Sequence, residues 1–280
     1  MQDARDVLSA LAGETGFETF EETEEGLKGY VQQQLFDRES LDNQLAFFPF
    51  EDCSISYEIR EAEDRDWNEQ WEQEGFEPII VKNIVIHDGR HLPSEELLSS
   101  LNVPSDALLY IEIDAHLAFG TGTHETTRMM VATLSEHQIL GKRILDCGCG
   151  TGSLAIASLK MGAAEAVGYD IDEWSADNAR HNAVINQADD RFTSYLGDAS
   201  VLSQIDGSFD IIVANINRNI LLTDMKAFHE KMKDGAHLLL SGFYQDDIPL
   251  LLQEAQQLGL TLDSKKTEGD WACIDLCASK

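Results

Sequence analysis

The residues with the clearest chemical potential form the segment Asp146-Cys147-Gly148-Cys149-Gly150-Thr151-Gly152, which follows a short apolar run and precedes a helical pattern. Glycines in such a loop allow a tight turn and let the backbone approach a ligand at the N-terminus of a helix. The spacing is D-x-G-x-G-x-G, whereas loops that bind dinucleotides read G-x-G-x-x-G. A carboxylate at the mouth of the loop suits a cofactor with a cationic amino group and disfavours a pyrophosphate. We therefore expect cofactor contacts at Gly148, Gly150 and Gly152, although each could be a turn residue only.

Further polar residues follow the next three strands that the sequence predicts. Asp170 lies 24 residues after Asp146, where a carboxylate can accept both hydroxyls of a ribose. Asp198 can accept an adenine amino group, and Asn215 ends a fourth strand. Helix capping is the alternative for Asp170, a cap or turn for Asp198, and a simple strand end for Asn215. Because ligands of open α/β sheets bind beyond the carboxyl ends of the strands, the four sites together predict an S-adenosylmethionine-dependent methyltransferase.

The elements that must position these residues alternate between strands and helices after residue 128. Such alternation predicts a parallel sheet with helices on both faces, a Rossmann-like α/β fold. The expected strands are 143–146, 166–170, 209–214, 237–241 and a terminal 272–276, and the expected helices are 153–160, 173–186 and 221–233.

The first 65 residues predict a separate, smaller α+β unit of ferredoxin-like type. Its pattern gives a helix over 3–12, hairpin strands at 17–20 and 27–31, a helix over 40–48 and a strand over 54–59. Residues 66–115 are expected to form a connector with short strands at 79–81, 84–86 and 108–111, and Trp67 and Trp71 to share one helix face. The predicted domains are thus 1–65, 66–115 and 116–280.

The chain is strongly acidic, with 20 Lys and Arg against 51 Asp and Glu and a formal net charge of −31. Residues 1–80 contain 22 acidic and 5 basic residues, so this part alone has a charge of 5 − 22 = −17. A protein that tracks nucleic-acid phosphates would need a basic face, so we expect no direct nucleic-acid partner. The acidic runs 14–25 and 58–77 are either a solvated surface or a docking face for a basic protein.

Other features of the composition favour a protein of the cytoplasm. No run of about 18 apolar residues predicts a membrane span, and the first residues lack the basic and then apolar order of a secretory signal. The five scattered cysteines do not form a disulfide framework. Cys147 and Cys149 lack a second ligand pair, so we expect no metal, and Cys273 and Cys277 should be buried thiols. Without a sustained heptad pattern, a monomer is expected.

Four groups of residues resemble one known family. The segment Leu117-Ala118-Phe119-Gly120-Thr121-Gly122-Thr123-His124-Glu125-Thr126-Thr127, the glycine loop and Val213-Ala214-Asn215-Ile216 are similar to the ribosomal protein L11 methyltransferases. The segment Asp66-Trp67-Asn68-Glu69-Gln70-Trp71 with Phe76-Glu77-Pro78 resembles the linker of that family. The resemblance covers residues 55–275. The chain departs from the family pattern at residues 114–116, at Glu125 and at Asn217.

The resemblance implies a class I methyltransferase domain preceded by a substrate-recognition domain. It further implies S-adenosylmethionine as cofactor and methylation of lysine side chains and of the N-terminal amine of a basic ribosomal protein. By motif match, cofactor contacts would fall on Thr127, Gly148, Asp170 and Asn215, although Thr127 could simply begin a helix.

For such chemistry Asn215 is the candidate catalytic residue. A lysine amine attacks only when it is neutral, yet its unperturbed pKa is about 10.4. Carbonyl groups at Asn215 could accept hydrogen bonds from the amine and aim its lone pair, so that catalysis rests on positioning. His124 is a weaker candidate for a general base, because a lone histidine is more often structural.

Three other functions remain open at this stage. An RNA or DNA methyltransferase is disfavoured by the charge and by Asn215-Ile216-Asn217-Arg218, which lacks the Pro-Pro-aromatic sequence used to stack a flipped base. A methyltransferase of a small-molecule amine is not excluded by the catalytic loop. A non-catalytic module that retains the fold is disfavoured by the intact strand-end motifs.

Overall fold

The computed structural model describes residues 2–13, 15–17, 19–23, 26–31, 36–49, 55–60, 75–101, 103–114 and 123–278. The chain divides into two compact units, Met1–Asp64 and Arg65–Lys280. The Trp67 and Trp71 pair and residues 117–122 lie outside the described residues. The same holds for residue 115, where we expected the connector to end, so the three-part division stays a proposal.

The described residues of the smaller unit form two helices and a hairpin. Its elements are α1 (Gln2–Gly13), β1 (Thr19–Glu22), β2 (Leu27–Tyr30) and α2 (Arg38–Leu45). The strands are antiparallel with Phe20 opposite Gly29, as the alternation of the sequence predicts. The Asp37 side chain accepts a hydrogen bond of 3.0 Å from the backbone N–H of Glu39 and so begins α2 two residues earlier than expected.

The strand expected over residues 54–59 is wrong where the structure describes it. Residues 55–60 have no regular secondary structure, and all of them except Ile55 are exposed. A strand requires a neighbouring strand for its backbone groups, and none of the described strands pairs with this segment. Alternation of apolar residues was therefore insufficient evidence here.

The described residues of the larger unit form further helices and strands. Its elements are β3 (Ile79–Val81), β4 (Ile84–His87), α3 (Glu95–Ser100), β5 (Leu109–Glu112), α4 (Glu125–Leu134), β6 (Arg143–Cys147), α5 (Ser153–Lys160), β7 (Glu165–Asp170), α6 (Glu173–Ile185), β8 (Phe192–Leu196), β9 (Phe209–Asn215), α7 (Arg218–Glu230), β10 (Met232–Tyr244), α8 (Ile248–Gln257), β11 (Leu260–Glu268) and β12 (Trp271–Ala278).

A seven-stranded sheet organises this unit, and its strand order is β11-β12-β10-β9-β6-β7-β8. The five strands from β10 to β8 are parallel, whereas β12 is antiparallel to both of its neighbours. The strand order reverses between β6 and β9, which is where open α/β sheets bind ligands. The Rossmann-like fold that the sequence predicts is confirmed.

The sheet is buried on both faces, which explains why its central strands are continuously apolar. Ile144 and Leu145 are neighbours in β6, and both are 0% exposed. Because their side chains point to opposite faces, Ile144 belongs to one apolar core and Leu145 to the other.

A stripe of asparagines on α6 fastens the end of β5 to the large sheet. Asn182 and Asn186 accept hydrogen bonds from the backbone N–H groups of Asp114 (2.9 Å) and Glu112 (3.1 Å). The Asn182 amide also donates to the backbone carbonyl of Thr151, at 3.0 Å, in the glycine-rich loop. Since residues four apart share a helix face, one stripe joins the segment before residue 115 to that loop.

The helix α7 begins at Arg218, three residues before the predicted start. The Asn217 side chain accepts a hydrogen bond of 3.1 Å from the backbone N–H of Ile220 and caps the helix. None of the helices in the described part of the chain is long and apolar enough to cross a membrane.

Candidate cofactor-binding and active site

The loop after β6 turns sharply, and its glycines make this possible. Gly148 and Gly152 have φ angles of 70° and 77°, in the left-handed region that favours glycine. A Cβ on Gly148 would lie 2.4 Å from Cγ2 of Ile216, and one on Gly152 would lie 3.1 Å from the Cβ of Ala179. The loop therefore approaches both the end of β9 and the helix α6 closely enough to exclude side chains.

Asp146 is the one residue of this loop whose placement differs from our expectation. Its carboxylate does not lie at the mouth of the loop: the residue is 1% exposed and accepts a hydrogen bond of 3.1 Å from the backbone N–H of Ala155, in the first turn of α5. Burial raises the pKa of Asp146 to about 7, the Ala155 hydrogen bond opposes this, and the charge of Asp170 adds to it. The Asp146 side chain thus joins the start of the loop to the first turn of α5.

Asp170 is oriented by the backbone of two loops. One carboxylate oxygen accepts from the backbone N–H of Gly150 at 2.8 Å and the other from that of Asp172 at 3.1 Å. The capping alternative applies to the neighbouring Asp172, which accepts from the backbone N–H of Ser175 at 2.8 Å and begins α6. Each oxygen of Asp170 keeps a further lone pair, so the carboxylate can still accept two hydroxyl groups.

Asp198 lies at the end of the third parallel strand in an exposed position. Its carboxylate accepts from the backbone N–H of Ser200 at 2.9 Å and caps a short 3₁₀ helix, Ala199–Gln204. These hydrogen bonds with Ser200 hold the pKa of Asp198 below its ordinary value. The capping alternative therefore describes one of its roles, and its second oxygen can accept from a ligand.

Asn215 ends β9, and only one of the two polar atoms of its side chain has a hydrogen-bond partner among the described residues. Its amide nitrogen donates to the hydroxyl of Thr127 at 3.4 Å, and Thr127 is itself 1% exposed in the first turn of α4. Its carbonyl oxygen Oδ1 is buried and has no hydrogen-bond partner among the described residues. An unpaired buried acceptor costs about 1–3 kcal/mol, so this atom is suited to a ligand that brings a donor.

The backbone beside Asn215 is fixed by a residue that our sequence reasoning missed. The N–H of Ile216 donates to the carbonyl of Ser241 at 3.1 Å, and Gly242 has a φ of 91°. A Cβ on Gly242 would lie 2.4 Å from the Ile216 carbonyl oxygen, so only glycine allows this approach. A glycine directly after the apolar run of a predicted strand was the available signal.

His124 caps a helix, which favours the structural interpretation of this residue. Its Nδ1 accepts from the backbone N–H of Thr126 at 3.3 Å at the start of α4. Its ring contacts Trp271 edge to face with centroids 4.8 Å apart, and Trp271 contacts Tyr244 at 4.4 Å. An aromatic cluster thus lies one helical turn from Thr127, and no spacing pattern in the sequence predicts that these three residues meet.

The cysteines of the glycine-rich loop are structural. Cys147 and Cys149 are buried in the two different apolar cores, and burial raises the pKa of both thiols above their ordinary value. Thiols of that kind stay protonated and are poor nucleophiles and metal ligands. Cys273 is also buried, whereas Cys277 is only half-buried, contrary to our expectation.

These groups fit S-adenosylmethionine. Three kinds of group follow the ends of adjacent strands on either side of the switch point. They are the carboxylate of Asp170 with its spare lone pairs, the closely approaching glycine loop, and the buried carbonyl of Asn215, which has no partner among the described residues. In this arrangement Asp170 and the loop would bind the nucleoside, Asp198 the base, and Asn215 would lie nearest the acceptor.

The buried carboxyl of Asp146 predicts an unusual pH dependence. The unfolded chain has the ordinary pKa, so between about pH 4 and pH 7 the folded state binds more protons, and stability falls as the pH rises. Relative to Asp146→Asn, the wild type should lose about 1.4 kcal/mol of unfolding free energy for each unit by which the folded pKa is raised. Urea unfolding of both proteins at several pH values measures this difference. A difference that does not change with pH would contradict the assignment.

Comparison with known proteins agrees with this site. A family model described as "Ribosomal protein L11 methyltransferase (PrmA)" matches residues 5–278, a longer range than the resemblance over 55–275 covers. Proteins named ribosomal protein L11 methyltransferase are 44% identical in Bacteroides thetaiotaomicron, over 98% of this chain and 94% of the relative, and 39% identical in Porphyromonas gingivalis, over 98% and 91%.

A solved structure supports the fold independently. The crystal structure of ribosomal protein L11 methylase from Lactobacillus delbrueckii subsp. bulgaricus has a TM-score of 0.62 and 24% sequence identity, and the likeness covers 73% of this chain and 100% of that one. The family model over residues 5–278 and the relatives of up to 44% identity lead to one conclusion: the chain belongs to the ribosomal protein L11 methyltransferase family.

Proposed function

We propose that this protein transfers methyl groups from S-adenosylmethionine to amines of ribosomal protein L11, both lysine side chains and the N-terminal amine. The names of its relatives support that acceptor. The observation that carries the amine chemistry is the buried Oδ1 of Asn215 at the end of β9, which lacks a hydrogen-bond partner in the part of the chain that the structure describes. An amine donates hydrogen bonds through its N–H groups, so it is the kind of ligand that this atom lacks.

Asn215 would act on the acceptor by positioning it. S-adenosylmethionine, the cofactor of the family, supplies an electrophilic methyl group on a sulfonium. Oδ1 of Asn215 accepts from an N–H of the neutral amine, which leaves the nitrogen lone pair free to point toward that methyl group. Correct orientation of two reacting groups is worth a large part of a barrier without any covalent intermediate.

Thr127 would be a positioning residue in this scheme. Its hydroxyl is buried and accepts from the Asn215 amide nitrogen, and this contact turns Oδ1 away from α4. The backbone that follows Asn215 is fixed by the hydrogen bond between Ile216 and Ser241 and by the close approach of Gly242. The carbonyl is therefore aimed before an acceptor arrives, so little reorganisation is needed on binding.

The acceptor is expected to be a basic protein because of charge. The formal net charge is −31, and residues 1–80 contribute −17 of it. In the described part of the small unit, Glu39 and Glu58 are both exposed. Complementary charge speeds the encounter with a basic protein and opposes that with nucleic acid. We propose the cytoplasm as the location and a monomer as the active form, since the sequence predicts both.

Removal of the Asn215 carbonyl should abolish efficient turnover while sparing cofactor binding. For Asn215→Ala we expect kcat with purified L11 to fall about 100-fold, because the amine loses the oriented side-chain acceptor at the end of β9, and the affinity for S-adenosylhomocysteine to change a few-fold at most. Transfer of a labelled methyl group to L11, to ribosomal RNA and to a small amine such as free lysine measures this.

The matched control is Gln253→Ala, which truncates an exposed amide on α8 and should leave turnover unchanged. Label on L11 alone supports the proposal. Label on RNA or on free lysine instead, or an Asn215→Ala enzyme as active as the wild type, would overturn it.

Salt should weaken the binding of L11 more than the binding of S-adenosylhomocysteine. Raising the salt concentration from about 0.05 M to about 0.5 M shortens the Debye length from roughly 14 Å to 4 Å, so we expect L11 to bind about tenfold more weakly. S-adenosylhomocysteine binding depends on short contacts and should change less than twofold. Calorimetry at both salt concentrations measures each affinity, and an L11 affinity independent of salt would contradict the electrostatic part of the proposal.

A further inference from the structure

Two histidines and an aspartate meet beside β10 and β12, away from Asn215 at the end of β9. His137 follows α4, His237 lies in the first half of β10, and Asp275 lies in β12. Nε2 of His137 is 2.9 Å from one carboxylate oxygen of Asp275, and Nδ1 of His237 is 2.9 Å from the other. The two imidazole rings are close to each other, with centroids 4.3 Å apart.

This cluster, which we call the His-Asp-His cluster, is separate from the residues that bind the cofactor. His237 precedes Ser241 by four residues in β10, and Ser241 pairs with Asn215 in the neighbouring strand. At about 3.3 Å per residue the two places are roughly 13 Å apart along the strand. The helix α4 connects them, with Thr127 in its first turn and His137 just beyond its end.

The carboxylate of Asp275 is the group whose surroundings need an explanation. Its side chain is 2% exposed in the middle of an antiparallel strand, whereas the His137 and His237 side chains are 15% and 24% exposed. A buried carboxylate is unfavourable unless a positive charge compensates it. A cation bound between the three side chains would balance the charge of this carboxylate.

We propose that the His-Asp-His cluster is a structural site for one Zn²⁺ ion. One atom from each of the three side chains can serve as a ligand, and these three atoms lie within 4.8 Å of one another. Two imidazole nitrogens and a carboxylate oxygen suit zinc, whereas calcium and magnesium prefer all-oxygen sets. In a tetrahedral zinc site neighbouring ligand atoms are about 3.3 Å apart, so small side-chain rotations complete the arrangement. The half-exposed side of the cluster leaves the fourth position to water.

A metal at this place would fasten three separate parts of the fold. It would join the end of α4 to β10 and to β12, and β12 is the strand inserted antiparallel between β10 and β11. Because zinc would bind the folded state and only weakly the unfolded chain, it would stabilise the protein in proportion to its concentration. Its function is thus distinct from methyl transfer.

Zinc binding to the full chain tests the proposal. After treatment with a chelator and its removal, calorimetric titration with Zn²⁺ should show one site per chain, and excess Zn²⁺ should raise the thermal midpoint by a few degrees. Asp275→Asn should weaken zinc binding at least about tenfold, because it removes the negative charge while it keeps a similar shape. The double variant His137→Gln/His237→Gln should lose the site altogether. Calorimetry with S-adenosylhomocysteine shows whether each variant is folded.

Two controls distinguish the cluster from other zinc ligands of the protein. His181→Gln removes an exposed imidazole that pairs with Asp114 at 3.2 Å, and it should leave zinc binding unchanged. Cys277 lies opposite His237 in the strand register and offers a thiol as a rival ligand. Because the proposed site does not include this thiol, Cys277→Ser should also retain zinc binding. The proposal fails if the wild type binds no zinc, if the double histidine variant binds as tightly as the wild type, or if Cys277→Ser alone removes the site.

Discussion

The loop after β6 is held to the end of β7 by three successive backbone N–H groups, and the rest of the site depends on this contact. Gly148 and Cys149 both donate to the carbonyl of Tyr169, at 2.9 and 3.0 Å, and Gly150 donates to the carboxylate of Asp170 at 2.8 Å. The turn that these bonds require explains the positive φ angles of the glycines. It also sets the distance between the loop and the carboxylate of Asp170, which we propose binds the nucleoside.

The acceptor side of the site combines rigidity with an unmet polar group. A buried carbonyl without a partner lowers the stability of the protein, and the structure keeps it in place by packing Ile216 against Gly242 and by the Thr127 contact. Asp146 is a second group whose burial is unfavourable, although it accepts a hydrogen bond from Ala155, and this burial raises its pKa. Groups that cost stability are thus concentrated where a cofactor and an acceptor amine would meet, which is typical of functional sites.

Local patterns predicted much of this structure, and the failures came from long-range contacts. The alternation of apolar strands and helices after residue 128 was enough for the parallel sheet, because buried strands must be apolar on both faces. One error was local: the predicted start of α7 was three residues too late, although Asn217 is a typical helix-capping residue. By contrast, other contacts join residues that lie in different elements of the chain. Examples are the Asp146–Ala155 contact, the asparagine stripe of α6 and the His-Asp-His cluster. No spacing rule in a single sequence identifies such pairs.

Binding of S-adenosylhomocysteine to Asp170→Asn tests the central claim most directly, because this carboxylate is proposed to bind the ribose. The account predicts one binding site in the wild type, affinity at least about tenfold lower in Asp170→Asn, and unchanged affinity in Asp263→Asn, which removes an equal charge from an exposed position on β11. Calorimetry on the three proteins measures these affinities. Wild-type protein that binds neither S-adenosylmethionine nor S-adenosylhomocysteine but binds NADH tightly, or an Asp170→Asn protein that binds like the wild type, would contradict it.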